Sequence, residues 1–266
     1  MKKLIALAAA VTCGAALAVE SANIVGYTTK GAEQGKFIII GAQFEGVVDG
    51  TMKINDLVTG LTGVDYDSDD IWLTTAAQIQ VPATTGGYTT YRYLNDGWYD
   101  NNGEDAYKPG WCDVGGNIVD DEFTLCVAQW LKSVQDSADA NVSGAVSKDS
   151  SAEISCPVGF ALRANAFPVA IALNSSAMSS ADVKGVDYDS EDAWLATAPQ
   201  IQVPATTGGY TTYRYLNDGW YDNNGEDAYK PGWCDVGGNI VEDVIPAAQG
   251  FWTKGVQGAF TLTFTK

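Results

Sequence analysis

The chain has 266 residues, 33 acidic against 15 basic side chains, a formal charge of −18 and no histidine. That surplus of acid repels nucleic acid and anionic membrane, and suits calcium, cationic surfaces or neutral polymers better. Without histidine, Ser-His-Asp and Cys-His catalysis, histidine-bound zinc and histidine-held haem are excluded, which leaves carboxylate or lysine chemistry.

The first 18 residues, MKKLIALAAAVTCGAALA, read as a secretory signal: Lys2 and Lys3, an apolar run from Leu4, then Ala16-Leu17-Ala18. The run is too short to span a bilayer, and lipid attachment at Cys13 is the competing reading. No later stretch is long and apolar enough to be a transmembrane helix. The regular alternating spans of an outer-membrane barrel are also missing.

Beyond the signal, the chain is organised by a repeat. QIQVPATTGGYTTYRYLNDGWYDNNGEDAYKPGWCDVGGNIV runs from Gln78 to Val119 and recurs unchanged from Gln200 to Val241. Upstream, GVDYDSDDIWLTTAA from Gly63 is answered by GVDYDSEDAWLATAP from Gly185, and Ala22–Lys30 is echoed at Ala140–Lys148. Self-similarity at a fixed spacing marks a duplicated unit. It divides the chain into a signal (1–18), a first domain (19–137) and a second (138–266), with 138–148 able to belong to either domain.

In chain order, short runs rich in Val, Ile, Thr and aromatics predict strands at 23–29, 36–44, 71–75, 78–82, 89–94, 97–100 and 123–133. The second domain predicts them at 142–147, 153–167, 193–197, 200–204, 211–216, 219–222, 249–254 and 259–265. Asn95-Asp96-Gly97 reads as a hairpin turn between Tyr88–Leu94 and Trp98-Tyr99. Helical periodicity is absent apart from room for a turn at 52–61 and at 175–183. The class is therefore all-β: two tandem homologous domains, sandwich-like or barrel-like, from an internal duplication. The alternating tail Ala259–Thr265 reads as an exposed strand able to pair with another molecule and build filaments.

PVGFALRANAFPVAIAL at Pro157–Leu173, AQGFW at Ala248–Trp252 and the opening VESANIVGYTT resemble repeat units of secreted, uncharacterised β-proteins of environmental Gram-negative bacteria. The first copy departs from the pattern, with IIIGAQFEG where the second has ALRANAFPV. The resemblance implies an exported β-repeat protein and supplies no catalytic residues.

Four cysteines follow the signal. An exported chain with an even number favours bridges: Cys112–Cys126 and Cys156–Cys234, or alternatively Cys126–Cys156 with Cys112 and Cys234 as buried thiols. Acidic loops offer alternate carboxylates in the manner of a calcium site: Asp65, Asp67 and Asp69, with their copies Asp187, Asp189 and Glu191. A second cluster, Asp100, Asn102 and Asp105 with Asp222, Asn224 and Asp227, offers hard oxygens around a glycine turn. The same residue types also make ordinary solvated turns.

Tyr91, Arg92, Tyr93, Trp98 and Tyr99, repeated as Tyr213, Arg214, Tyr215, Trp220 and Tyr221, combine flat apolar faces with polar rims, as a sugar-binding surface requires. Packing across strands is the competing use of such aromatics. Three functions are compatible with these features. One is an exported, non-catalytic surface-structural or adhesive protein with a glycan, a protein or itself as partner. Another is a pair of carbohydrate-binding modules. The third is a small glycan-cleaving enzyme using the repeated carboxylates.

Overall fold

The computed structural model describes residues 25–45, 52–57, 60–67, 69–83, 86–99, 103–189, 191–221, 225–247 and 249–266. The predicted signal, with Cys13, lies outside the described residues. Strands β1 (Val25–Ala32) and β2 (Phe37–Gly41) lead to two single helical turns, α1 (Ile54–Leu57) and α2 (Trp72–Thr75). Strands β3 (Ala77–Pro82), β4 (Tyr88–Tyr99), β5 (Asp105–Cys112), β6 (Ala128–Lys132) and β7 (Ala138–Ala145) follow. Then come β8 (Ser151–Cys156), β9 (Gly159–Ala164), β10 (Ile171–Ala172), β11 (Met178–Ser179), the helical turn α3 (Trp194–Thr197) and β12 (Gln200–Pro204). The chain ends with β13 (Tyr210–Tyr221), β14 (Asp227–Cys234), β15 (Val244–Ile245), β16 (Gly250–Gly255) and β17 (Phe260–Thr265).

The protein is mostly β, in several antiparallel sheets, none of which closes on itself. Two five-stranded sheets dominate, in the orders β2-β6-β3-β4-β5 and β9-β16-β12-β13-β14. Identical letters take matching places in them: Gln78 opposes Arg92 and Arg92 opposes Cys112, as Gln200 opposes Arg214 and Arg214 opposes Cys234. Alternation fills the cores. Ile38, Leu131, Ile79 and Tyr91 form one register row across four strands and turn inward. The small sheet β1-β7 adds Ala32, Ala140 and Val142 to that cluster, while β8 and β17 bring Ile154, Leu262 and Phe264 to the second core.

Several predicted elements take another form. Residues 71–75 and 193–197 are helical turns rather than strands. The Asp67 carboxylate accepts from the backbone N–H groups of Asp69, Ile71 and Trp72 at 3.0, 3.1 and 3.2 Å. Asp189 does the same for Glu191, Ala193 and Trp194 at 2.9, 3.0 and 3.1 Å. A carboxylate placed there satisfies donors that a helical start leaves without partners. It also fixes Trp72 and Trp194, which are fully buried.

Asn95-Asp96-Gly97 is an irregularity inside one long strand, β4, rather than a hairpin turn; the register shifts between Leu94 and Gly97. A side chain at Gly97 would lie 2.5 Å from Ile118 and 2.8 Å from the Cys112 sulfur, so this glycine serves close approach. The predicted helical turn at 52–61 is present as α1, whereas 175–183 holds hydrogen-bonded turns and β11. The predicted run 153–167 is split at Pro157-Val158 into β8 and β9. The tail strand β17 is not an edge: it pairs with β8 along its length and with β11 on its other side. Strand β7 pairs with β1 through eight residues, from Val25↔Ala145 to Ala32↔Ala138.

The two large sheets meet at one corner. Ile39 and Ala128 of the first pack with Leu162 and Ala164 of the second, with Trp130 and Trp252 against them. Gly250 permits this contact, since a Cβ there would fall 2.1 Å from Ile39. Among the described residues no helix is long and apolar enough to cross a membrane.

Candidate functional site

The residues singled out by sequence fall into four settings. In the acidic loops, Asp67 and Asp189 hold the helical turns, while Asp65 and Asp187 accept from the side-chain amides of Asn95 and Asn217 at 3.0 and 2.9 Å. Asp69 and Glu191 are exposed beside them. Asp105 and Asp227 open β5 and β14 opposite Tyr99 and Tyr221. Asp100, Asn102, Asp222 and Asn224 lie outside the described residues. Among the described residues no group of three or more Cys, Asp or Glu side chains is arranged to hold a metal ion.

The cysteines correct the sequence reading: Cys112, Cys126, Cys156 and Cys234 are all free, with no pair at bonding distance. The favoured partners sit in separate clusters. Cys112 packs with Trp72, Leu94 and Ile118, and Cys234 with Trp194, Leu216 and Ile240. Cys156 belongs to the second large core, and Cys126 lies at that core's margin without bonding to it. Burial pushes the Cys112 and Cys234 thiols up to about 12, and those of Cys126 and Cys156 up to about 11.

The aromatic set divides. Tyr91 and Tyr213 are buried, with hydroxyls donating to Asp121 and Asp243. The Arg92 and Arg214 Nε groups donate to the carbonyls of Leu73 and Leu195 at 2.8 and 2.9 Å. Their guanidinium groups lie over the Trp72 and Trp194 rings at 5.9 and 5.8 Å. Tyr93 and Tyr215 stand edge-on to Trp111 and Trp233 at 5.4 and 5.2 Å. Trp98 stacks on Tyr99, and Trp220 on Tyr221, at 5.6 Å in both cases. Tyr66 and Tyr188 wedge Trp98 and Trp220 from the other side. Tyr91 and Tyr213 are thus core residues, whereas Tyr99 and Tyr221 stay exposed and the others are half-buried.

A different set shares the opposite sheet faces, partly exposed and partly closed where the two sheets meet, and the register assembles it. Directly opposed residues share one face of a sheet. In the first sheet Phe37, Lys132, Gln78 and Arg92 form one row, and Ile39, Trp130, Gln80 and Thr90 the next, with Pro82 opposite Tyr88 beyond. In the second, the rows are Phe160, Lys254, Gln200 and Arg214, then Leu162, Trp252, Gln202 and Thr212, with Pro204 opposite Tyr210.

The two faces join through Trp130 and Trp252, whose rings lie 6.2 Å apart. Phe37 stands edge-on to Trp130 at 6.1 Å and Phe160 to Trp252 at 6.2 Å, giving a row of four rings. Lys132 caps Phe37 at 5.3 Å and Lys254 caps Phe160 at 5.1 Å. The indole N–H groups of Trp130 and Trp252 donate to the hydroxyls of Tyr88 and Tyr210, each at 3.4 Å. Phe37, Phe160, Tyr88 and Tyr210 are 42%, 55%, 43% and 42% exposed, so four partly exposed rings lie on adjoining faces.

At one end of this row lies a groove of about 540 Å³, bounded by Lys30, Glu33, Lys36, Phe37 and Trp130 on one side and by Tyr210 and the 205–209 turn on the other. The Lys30 ammonium donates to the Gln249 side-chain carbonyl at 3.2 Å, and burial lowers its pKa. Lys36 pairs with exposed Glu33.

Sequence reasoning missed Phe37, Trp130, Phe160 and Trp252 because attention rested on the unchanged stretch, and all four lie outside it. A usable signal was present: Trp130 and Trp252 each precede a lysine by two residues, in late strands of the two halves. No protein-family model matches the chain, and comparison with curated proteins finds no match.

Proposed function

We propose that the chain is an exported, non-catalytic binding protein of adhesive character, whose outward aromatic row holds a glycan across two tandem homologous β domains. The observation that carries this reading is the ring series Phe37–Trp130–Trp252–Phe160, flanked by lysines and glutamines. Flat apolar faces with amide and ammonium groups at their margins suit the C–H faces and hydroxyl edges of sugars. Export rests on residues 1–18.

The duplication rests on the unchanged letters and is supported by the equal strand orders of the two large sheets. The pairing of β7 with β1 favours ending the first domain after Ala145 rather than near 137. Two copies of one surface side by side make many weak contacts effective, as adhesion to a polymer needs. A glycosidic bond laid across the outward rows meets no carboxylate pair, which favours holding over cleavage. Adhesion is favoured over filament growth, because the tail strand that was to recruit a neighbour is paired on both sides.

The test is a glycan array probed with the full chain. Retention of a defined set of glycans, released by the free oligosaccharide, is the expected result. An array without any specific signal would overturn the proposal.

A further inference from the structure

We propose that the glycan held on this face is anionic, with the acid group of one sugar seated in the groove at Lys30 and Lys36. This deepens the glycan-binding reading above and rests on it. The first observation is charge segregation. In a chain with 33 acids and 15 bases, the rows of the two large sheets that hold the aromatic series carry Lys132 and Lys254 and no acid, while Arg92 and Arg214 in the same rows are held over Trp72 and Trp194. At physiological salt the field of the −18 net charge is screened over about 8 Å, whereas a contact pair inside a groove is not.

The second observation is Lys30. It is half-buried, and the group it meets is the neutral amide of Gln249. Among the described residues the ion pairs are Lys36–Glu33 and Lys53–Asp120, and Lys30 belongs to neither. A cation taken out of water without a counter-ion is costly, and a ligand anion supplies one.

The third is shape. The groove of about 540 Å³ is within the range of small-molecule sites, and it adjoins the Trp130 ring that would stack on the next sugar. Its far wall is the 205–209 turn, where Gly208 and Gly209 adopt positive φ and leave open space in place of side chains. Glu33 also lines the groove, and its exposed pair with Lys36 is weak, so an incoming anion takes Lys36 once the Glu33 side chain turns out to solvent. The corresponding stretch of the second half, SAEISCPV over Ser151–Val158, has no lysine, so the site occurs once per chain.

The chemistry recognised is a carboxylate or sulfate on a sugar ring, and the test separates the two. Binding of the full chain is measured by titration calorimetry to polygalacturonate and alginate fragments, their methyl esters, dextran sulfate and dextran. The expected result is a charged member bound at least about tenfold more tightly than its neutral counterpart, with one site per chain. In Lys30→Gln with Lys36→Gln that preference disappears while affinity for the neutral member persists. Lys36→Glu, a change at an exposed position, reverses the preference in a protein whose fold is undisturbed. Preference for the uronates identifies a carboxylate, and preference for dextran sulfate a sulfate. Equal binding of charged and neutral members overturns this inference and leaves the aromatic reading standing; no binding to any member of this set or of the array overturns both.

Discussion

Cys112 and Cys234 face Gly97 and Gly219, whose missing side chains make room for the sulfur atoms. Apolar surroundings hold these thiols protonated, and burial is the leading cause for Cys126 and Cys156 as well. Each thiol titrates higher in the folded chain than its ordinary 9.0, so the native state keeps protons that the unfolded state gives up first. The stability this contributes is complete below pH 9.0 and is lost as pH rises through 11 to 12. Two results are expected. A thiol reagent at neutral pH finds these four cysteines silent in native protein and reactive after denaturation without reductant. The urea midpoint falls more steeply above pH 9.0 in the wild type than in Cys112→Ala with Cys234→Ala. Bridged cysteines would stay silent in denaturant, and would restore the pairing that the sequence favours.

The helical turns α2 and α3 show what local composition conceals. ILE-TRP-LEU-THR-THR is a sequence of strand formers, and by propensity it should be extended. Three hydrogen bonds to one carboxylate and a fully buried indole override that preference, and neither is visible until Asp67 and Trp72 are placed. The spacing of Asp65-Tyr-Asp67-Ser-Asp69 serves two uses, since oxygens that cap backbone N–H groups and oxygens that ligate a cation share it, and the structure shows the first use at Asp67. Asn95-Asp96-Gly97 misleads for a related reason: glycine suits both a turn and a close approach, and only the neighbours Ile118 and Cys112 decide which. By contrast 78–82, 249–254 and 259–265 were legible, because alternation with clear glycine or proline boundaries survives any tertiary context. Asp67→Ala should cost about 1 kcal/mol or somewhat more as a lost cap, by the same amount in calcium and in EDTA. A loss seen only with calcium present would make the carboxylate a ligand.

At the scale of the whole molecule, the unchanged repeat draws the eye to seven aromatics per copy, yet the exposed row is built largely from strands outside it. Repetition was legible as letters, and the two large sheets have equal strand orders. The site was not legible, because it depends on which of two faces each strand presents and on where the two sheets touch. Ile39, Ala128, Leu162 and Ala164 form that contact, and Trp130 and Trp252 are its half-buried continuation. Their position gives the row its length, since either half alone offers two rings and a lysine. The most direct measurement is a calorimetric titration of the best array glycan into three proteins: wild type, Trp130→Ala with Trp252→Ala, and Trp98→Ala with Trp220→Ala. Loss of two contacting rings predicts an affinity loss of at least about tenfold for the first pair and little change for the second. Unchanged binding in the first pair, or a loss confined to the second, would contradict the account and return the site to the end of β4 and β13.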